Sequence, residues 1–483
     1  MKKKHLHIVV FLLSGTFFSV CAESATTLRQ AITAAYANNP AFAAKRHELK
    51  ASEAARLSAL SEFLPSVLLQ ASSSYQQIKD QQNPPHSNLG SKAFEESVAL
   101  EQSLFSGGGS VARFRQTEAS ISASEAGFFA NEQKLISDTI ESYVDLWAKE
   151  ANLKVSQRAE QIYKETFASV EEKVKYGVAS KVDLAKSKAE YSRISARLEK
   201  AQSDVTGAVS KFEKMTGLKY EGIEAPTFIA KIPGTEDEVV AAALARNPSL
   251  AQVGRQVDVA NHAHTAAISG FLPSAKMTAS VGGKRRRDTT VDTDINSPQK
   301  TTTLNRSVGF SVSMPIFQGG KEYASLKETS QKLEASKKNL RAGQQDLLQA
   351  INAGWADWKS AGEQVRRYED GVEAAQFVRD GMRDEYNFGI KSLYEVYQEE
   401  QNFLNAEYSL VEAQKNQLLY AYQLSTLMGE LTASSLKLAE GGAEAGAGSD
   451  AAPRPADADK KTGAATIVSS EMGPASVAPL PSS

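Results

Sequence analysis

Side chains able to do chemistry are few in this 483-residue chain, and their spacing works against them. His262 and His264 stand two apart in a helical stretch, so they point to different faces and cannot share a metal ion. Gly107-Gly108-Gly109 precedes a helical pattern, as a phosphate-cradling loop would, but no Lys-Ser or Lys-Thr follows to complete it. It reads as a turn. Lys284-Arg285-Arg286-Arg287 has the composition of a nucleic-acid patch, yet 55 basic residues face 57 acidic ones over the whole chain. Behind a secretory leader the run reads as a solvated loop. Two of the six histidines fall in that leader, and the single cysteine, Cys21, sits at its end. No nucleophile–base pair can be assembled. The expectation is a non-enzyme with no cofactor, no metal and no nucleic-acid partner.

The leader is read from a basic stretch over 1–7, an apolar run over 8–20 and the small-residue site Val20-Cys21-Ala22. It is too short for a comfortable membrane span. Lipidation of Cys21 would need an aliphatic and a small residue where Phe18 and Val20 stand. Cleavage after Ala22 is therefore expected, leaving no cysteine in the mature chain. No other run of about 18 apolar residues occurs, so no transmembrane helix is expected.

The elements that could position any function come in two copies. Asn39-Pro40 and Asn247-Pro248 break and restart a helix, with Asn as cap and Pro as the first helical residue. Leu64-Pro65 and Leu272-Pro273 stop it. Both proline pairs are 208 residues apart, whereas Phe105 and Phe317, and Gly177 and Gly389, are 212 apart. Four residues have thus been inserted between Pro273 and Phe317, where strands and loops tolerate them. The chain divides into a signal peptide (1–22), a first repeat (23–217), a linker (218–234), a second repeat (235–430) and a low-complexity tail (431–483). The composition of that tail predicts disorder.

Each repeat offers two strands, 65–76 and 94–105, then 273–283 and 304–317. In the last, Val308, Phe310, Val312 and Met314 alternate with Ser307, Gly309, Ser311 and Ser313, giving one apolar and one small polar face. Strands of this length suit a tilted bilayer crossing. The stretches between paired strands, 79–92 and 284–303, read as polar loops. After each Gly turn a proline-free helix runs over 109–176 and 320–388, roughly 100 Å at 1.5 Å per residue. Ile136, Ile140, Tyr143 and Trp147 mark its apolar stripe in the first copy, and Leu347, Ile351, Trp355 and Trp358 in the second. A returning helix follows each turn. Its Ile194, Leu198, Ala201, Val205, Ala208 and Phe212 step by four and three, the heptad of a coiled coil.

Four strands cannot close a barrel, and open edges are not tolerated in lipid. Several chains must share one barrel, eight strands from a dimer or twelve from a trimer. The fold class expected is an α+β membrane protein: a β-barrel shared between protomers, four strands each, continued by a long α-helical coiled-coil tunnel and built on a tandem repeat.

The paired Asn-Pro, Leu-Pro, strand-Gly-Gly and Tyr/Phe-Gly-x-x-Ser signatures resemble those of the TolC family of outer membrane export proteins. The resemblance runs from about Leu28 to Gly429, with Pro315-Ile316-Phe317-Gln318-Gly319-Gly320 its most specific piece. It implies a homotrimer with a twelve-stranded barrel in the lipid of the Gram-negative outer membrane and a tunnel across the periplasm, the linker lying at its equator. The partners implied are a periplasmic adaptor and an inner-membrane pump, either an ABC transporter or a proton-driven one. Type I secretion is the expected task, since many dedicated drug-efflux ducts are lipoproteins; multidrug efflux is the alternative, and a passive porin or structural surface protein a distant one. By the same resemblance the adaptor docks at the helical turns, around Gly177, Val178 and Ser180 and around Gly389, Ile390 and Ser392. Tyr386, Lys391 and Asp183 match the family's gate links. Glu395 matches one acidic ring of the aperture, and Gln398 stands where a second carboxylate is typical.

Overall fold

A computed structural model of the chain describes residues 25–79, 88–227, 232–290 and 299–436. The expected leader, with Cys21, lies outside the described residues. Helix α1 (Leu28–Asn38) opens on a capping box in which Thr27 and Gln30 each satisfy the other's backbone N–H. Asn39 caps α2 (Pro40–Ser61), and its side-chain amide donates to the Met215 carbonyl at 3.2 Å. In the second copy Asn247 caps α6 (Pro248–Ile268), which follows α5 (Glu236–Arg246), and donates to the Leu427 carbonyl at 3.0 Å. The Asn-Pro pairs therefore start a helix and fasten it to the end of the returning one.

Strands β1 (Ser66–Lys79), β2 (Asn88–Ser106), β3 (Ser274–Thr290) and β4 (Gln299–Ser313) form one antiparallel sheet in chain order. The strands are longer than the sequence suggests. Lys284 to Arg287 is not a loop: it continues β3, with Lys284 opposite Glu95 and Arg285 opposite Phe94. Hydrophobic alternation fades there, while cross-strand ion pairs such as Lys284–Glu95 and Arg285–Glu96 accompany the continued pairing.

Helix α3 (Gly109–Lys175) and its twin α7 (Lys321–Asn387) each run 67 residues and return as α4 (Lys181–Thr216) and α8 (Leu393–Leu427). Both long helices begin behind a left-handed glycine, Gly108 at φ 81° and Gly320 at φ 82°. Among the described residues no helix is long and apolar enough to cross a membrane.

The largest core lies where the repeats meet. Ile136, Ile140 and Tyr143 of α3 pack with Ile32 of α1, Phe212 of α4 and Tyr422 of α8. The linker is bound in: Thr26 and Ile223 form a bridge, and the Tyr143 hydroxyl donates to the carbonyls of Thr26 and Glu224, both at 2.8 Å. The tail expectation needs correction at its start. Leu431, Ala433 and Leu436 are buried in this core, the Ala433 amide donates to Glu132, and Arg29 donates to the Leu436 carbonyl. Three apolar side chains reaching a preformed groove outweigh a small-residue composition. The remainder, 437–483, lies outside the described residues.

Candidate functional site

The two hairpin turns are built alike from local chemistry. At the end of α3, Gly177 adopts φ 74° and the Val178 amide donates back to Lys173 O at 2.8 Å. At the end of α7, Gly389 adopts φ 75° and the Ile390 amide donates to Glu385 O at 2.9 Å. These are left-handed C-caps, which favour glycine because a Cβ is strained there. A Cβ on either glycine would meet nothing within 4 Å, so the turns stand free of the rest of the chain. Tyr176, Val178, Phe388 and Ile390 around them are each at least 70% exposed, an unusual display of apolar surface at two adjacent turns.

Ser180 and Ser392 then open the returning helices with matched capping boxes. The Asp183 carboxylate accepts from the Ser180 hydroxyl at 2.7 Å; Glu395, its equivalent in the second copy, accepts from the Ser392 amide and hydroxyl, both at 2.9 Å. The Lys391 ammonium donates to the other Glu395 oxygen at 3.1 Å. The Ser392 amide and hydroxyl, with Lys391 behind them, hold the Glu395 carboxyl down at about 2, so it is a fixed negative charge.

Of the expected gate residues the structure brings Lys391 and Glu395 together. Among the described residues no hydrogen bond joins Asp183, Tyr386 and Lys391 within one chain. Tyr386 instead lies under the Lys173 ammonium, 4.9 Å from its ring centre, and packs on the core between the hairpins. Gln398 donates to the Tyr394 hydroxyl at 3.1 Å. His264 faces Thr329 at 3.3 Å.

A further polar residue escaped the sequence reading. Glu400 of α8 lies on the apolar stripe of Val396, Tyr397, Phe403 and Leu404, and its side chain is 3% exposed. Both carboxylate oxygens lack a hydrogen-bond partner, as does the buried Tyr163 hydroxyl nearby on α3. The nearest countercharge is Arg383 at 3.8 Å. Burial pushes the Glu400 carboxyl up, against the pull of Arg383 and Arg379. A carboxylate standing in a four-and-three apolar register was the signal that could have found it.

Comparison with known proteins fits this architecture. The outer membrane protein TolC of Escherichia coli (strain K12) is 24% identical over 449 residues, covering 90% of this chain and 88% of its own. The alkaline protease secretion protein AprF of Pseudomonas aeruginosa is 22% identical over 352 residues, covering 72% of each. The crystal structure of the Campylobacter jejuni CmeC outer membrane channel superimposes with a TM-score of 0.70 at 18% identity, over 83% of this chain and 85% of that one. A family model described as outer membrane efflux protein matches residues 31–218 and 239–430, one segment in each repeat. The chain belongs to the outer membrane efflux protein family.

Proposed function

We propose that this protein is the exit duct of a tripartite export system, a homotrimer whose chains share one twelve-stranded barrel. The observation that carries the reading is an asymmetry between the repeats. Gly107 packs so closely on the second repeat that a Cβ would lie 2.7 Å from Leu272 Cβ. Its twin Gly319 meets nothing within 4 Å, and Leu64, the twin of Leu272, is 59% exposed. β1 and β4 likewise end the sheet with unpaired edges. Each chain thus has a socket at one side and an unused copy of the matching knob at the other. A head-to-tail ring satisfies both, and in lipid closure is obligatory. The mass of the detergent-solubilised complex tests this: three chains are expected, and a monomer would sink the reading.

The partners in this reading are a periplasmic adaptor, docking at the two hairpin turns, and an inner-membrane pump. Type I secretion is the first assignment of task, supported by the likeness to a protease secretion protein. Efflux of small molecules is the second, supported by the family's own description. Deleting the gene and comparing the secreted proteins with susceptibility to toxic small molecules separates them: loss of a secreted protein with unchanged susceptibility is expected. The resting duct is closed at the periplasmic tip through Asp183, Tyr386 and Lys391. Glu395 lines the aperture, and Gln398 leaves it one ring of charge short, which weakens cation selectivity.

A further inference from the structure

The sheet sorts its charges by face. Strand alternation puts Lys276, Lys284 and Arg286 on the face with the small polar residues, together with Glu95, Glu101 and Asp288. All six are paired, as Lys276–Glu101 at 3.2 Å, Lys284–Glu95 and Arg286–Asp288 at 2.7 Å. The opposite face carries Val67, Val308 and Phe310 toward the helices and Val98 and Val281 at mid-sheet. Toward the far end it carries Lys92, Arg285, Arg287 and Lys300, all exposed, while Arg306 lies at mid-sheet beside Val281. Among the described residues Glu96 is the single acid on that face, and it is taken by Arg285 at 3.4 Å. Among the described residues no carboxylate partners Lys92, Arg287 or Lys300.

The surplus is local. Lys92, Arg287 and Lys300 share one row across three strands and Arg285 stands in the next, about 7 Å away; Arg306, at mid-sheet, is not part of the cluster. Tyr75 and Phe94 lie among them, with the Lys92 ammonium 5.9 Å from the Tyr75 ring centre. Between Arg306 and the helices, from the row of Ala279 and Val308 inward, the same face holds no cation among the described residues. An aromatic belt with long cationic side chains marks a membrane interface, where apolar stems stay in hydrocarbon and the charges reach headgroups.

We propose that this belt is a docking surface for the phosphate groups of the outer-leaflet glycolipid, three copies encircling the barrel. The inference rests on the shared-barrel reading above, which turns the apolar face to lipid. Arginine and lysine clustered in two adjacent rows match phosphate in charge and, for arginine, in bidentate geometry. A merely solvated strand end would show mixed charge, as the opposite face does at the same height.

The test uses the full-length oligomer in detergent, with native mass spectrometry reading lipid adducts. The probes are bisphosphorylated lipid A, the same lipid stripped of phosphate, and phosphatidylglycerol. The wild type should bind the phosphorylated glycolipid at least ten-fold more tightly than either other lipid. Arg285→Gln/Arg287→Gln/Lys300→Gln should lose that preference. Lys276→Gln/Lys284→Gln/Arg286→Gln, which removes equal charge from the other face, should keep it. Equal binding of the phosphorylated and stripped lipids by the wild type would overturn the proposal even if a variant failed to assemble. Phosphatidylglycerol binding as tightly would overturn the glycolipid assignment, and preference retained in the first variant would overturn the site. Loss of the closed-ring reading would appear before any lipid is added, as a monomer mass, and would remove this inference with it.

Discussion

At the residue scale, Glu400 is the most consequential side chain between the hairpins. Its carboxyl is buried, lacks hydrogen bonds and keeps its proton to higher pH than in the unfolded chain. Arg379, Asp380 and Arg383 face it from α7, Tyr163 from α3 and Glu407 from its own helix. For an acid whose folded pKa is raised, the unfolded state releases its proton first as pH climbs past about 4.5. The favourable contribution therefore holds below that value and is lost as pH rises toward the folded one. Each pH unit in that interval is worth about 1.4 kcal/mol. Glu400→Gln should be more stable than wild type at pH 8, with the difference shrinking toward pH 4. Thermal melts of both proteins across that range check it; parallel curves would mean the carboxyl titrates in the folded state as it does in the unfolded chain.

The gate reading also belongs at this scale. Asp183 caps its own helix in the isolated chain, so any link it makes to Tyr386 or Lys391 must coexist with that cap or replace it. Polar links of this type are worth about 1–3 kcal/mol each, and threefold repetition in the proposed trimer would multiply them. Asp183→Ala with Tyr386→Phe should raise the open population at rest by ten-fold or more, read as resting conductance in planar bilayers. Unchanged conductance in correctly assembled trimers would take both residues out of the gate.

At the scale of elements, the helices were legible because their ends are fixed by local chemistry. Asn39-Pro40, Asn247-Pro248, Ser180, Ser392 and the left-handed glycines act within a few residues of themselves. The outer halves of the strands were not legible. Residues 284–290 and 299–303 carry little apolar alternation; they pair with each other across one hairpin, but the other partner of 284–290 lies far off in β2. Glu400 was missed for the same reason, since its burial depends on three helices meeting. The hairpin turns support a prediction of their own. Val178 and Ile390 are 75% and 70% exposed and contribute little to folding. Val178→Asp with Ile390→Asp should leave trimer mass and thermal stability within about 0.5 kcal/mol, while adaptor crosslinking at the tip falls. Crosslinking at the wild-type level would show that the turns only reverse the chain.

At the scale of the whole molecule, one core ties both repeats, the linker and the start of the tail together. Helix α1 lies against α3 and α4, the linker is pinned beneath Tyr143, and the chain beyond α8 returns to bury Leu431, Ala433 and Leu436 in the same cluster. The tail therefore has two parts with opposite expectations. Ending the chain after Leu436 removes no described contact and should leave assembly and export unchanged. Ending it after Gly429 removes two buried leucines and an alanine, and leaves Glu132 without its Ala433 amide and Arg29 without the Leu436 carbonyl. Truncating one buried leucine alone to alanine costs about 2–5 kcal/mol. Loss of this segment should thus lower the melting temperature sharply or abolish the trimer. Leu431→Ala, which keeps the backbone contacts, should show the smaller, purely apolar part. Trimer yield and thermal melts of the three variants decide the matter. Equal stability of the two truncations would mean that the segment beyond Gly429 rests on the core without supporting it.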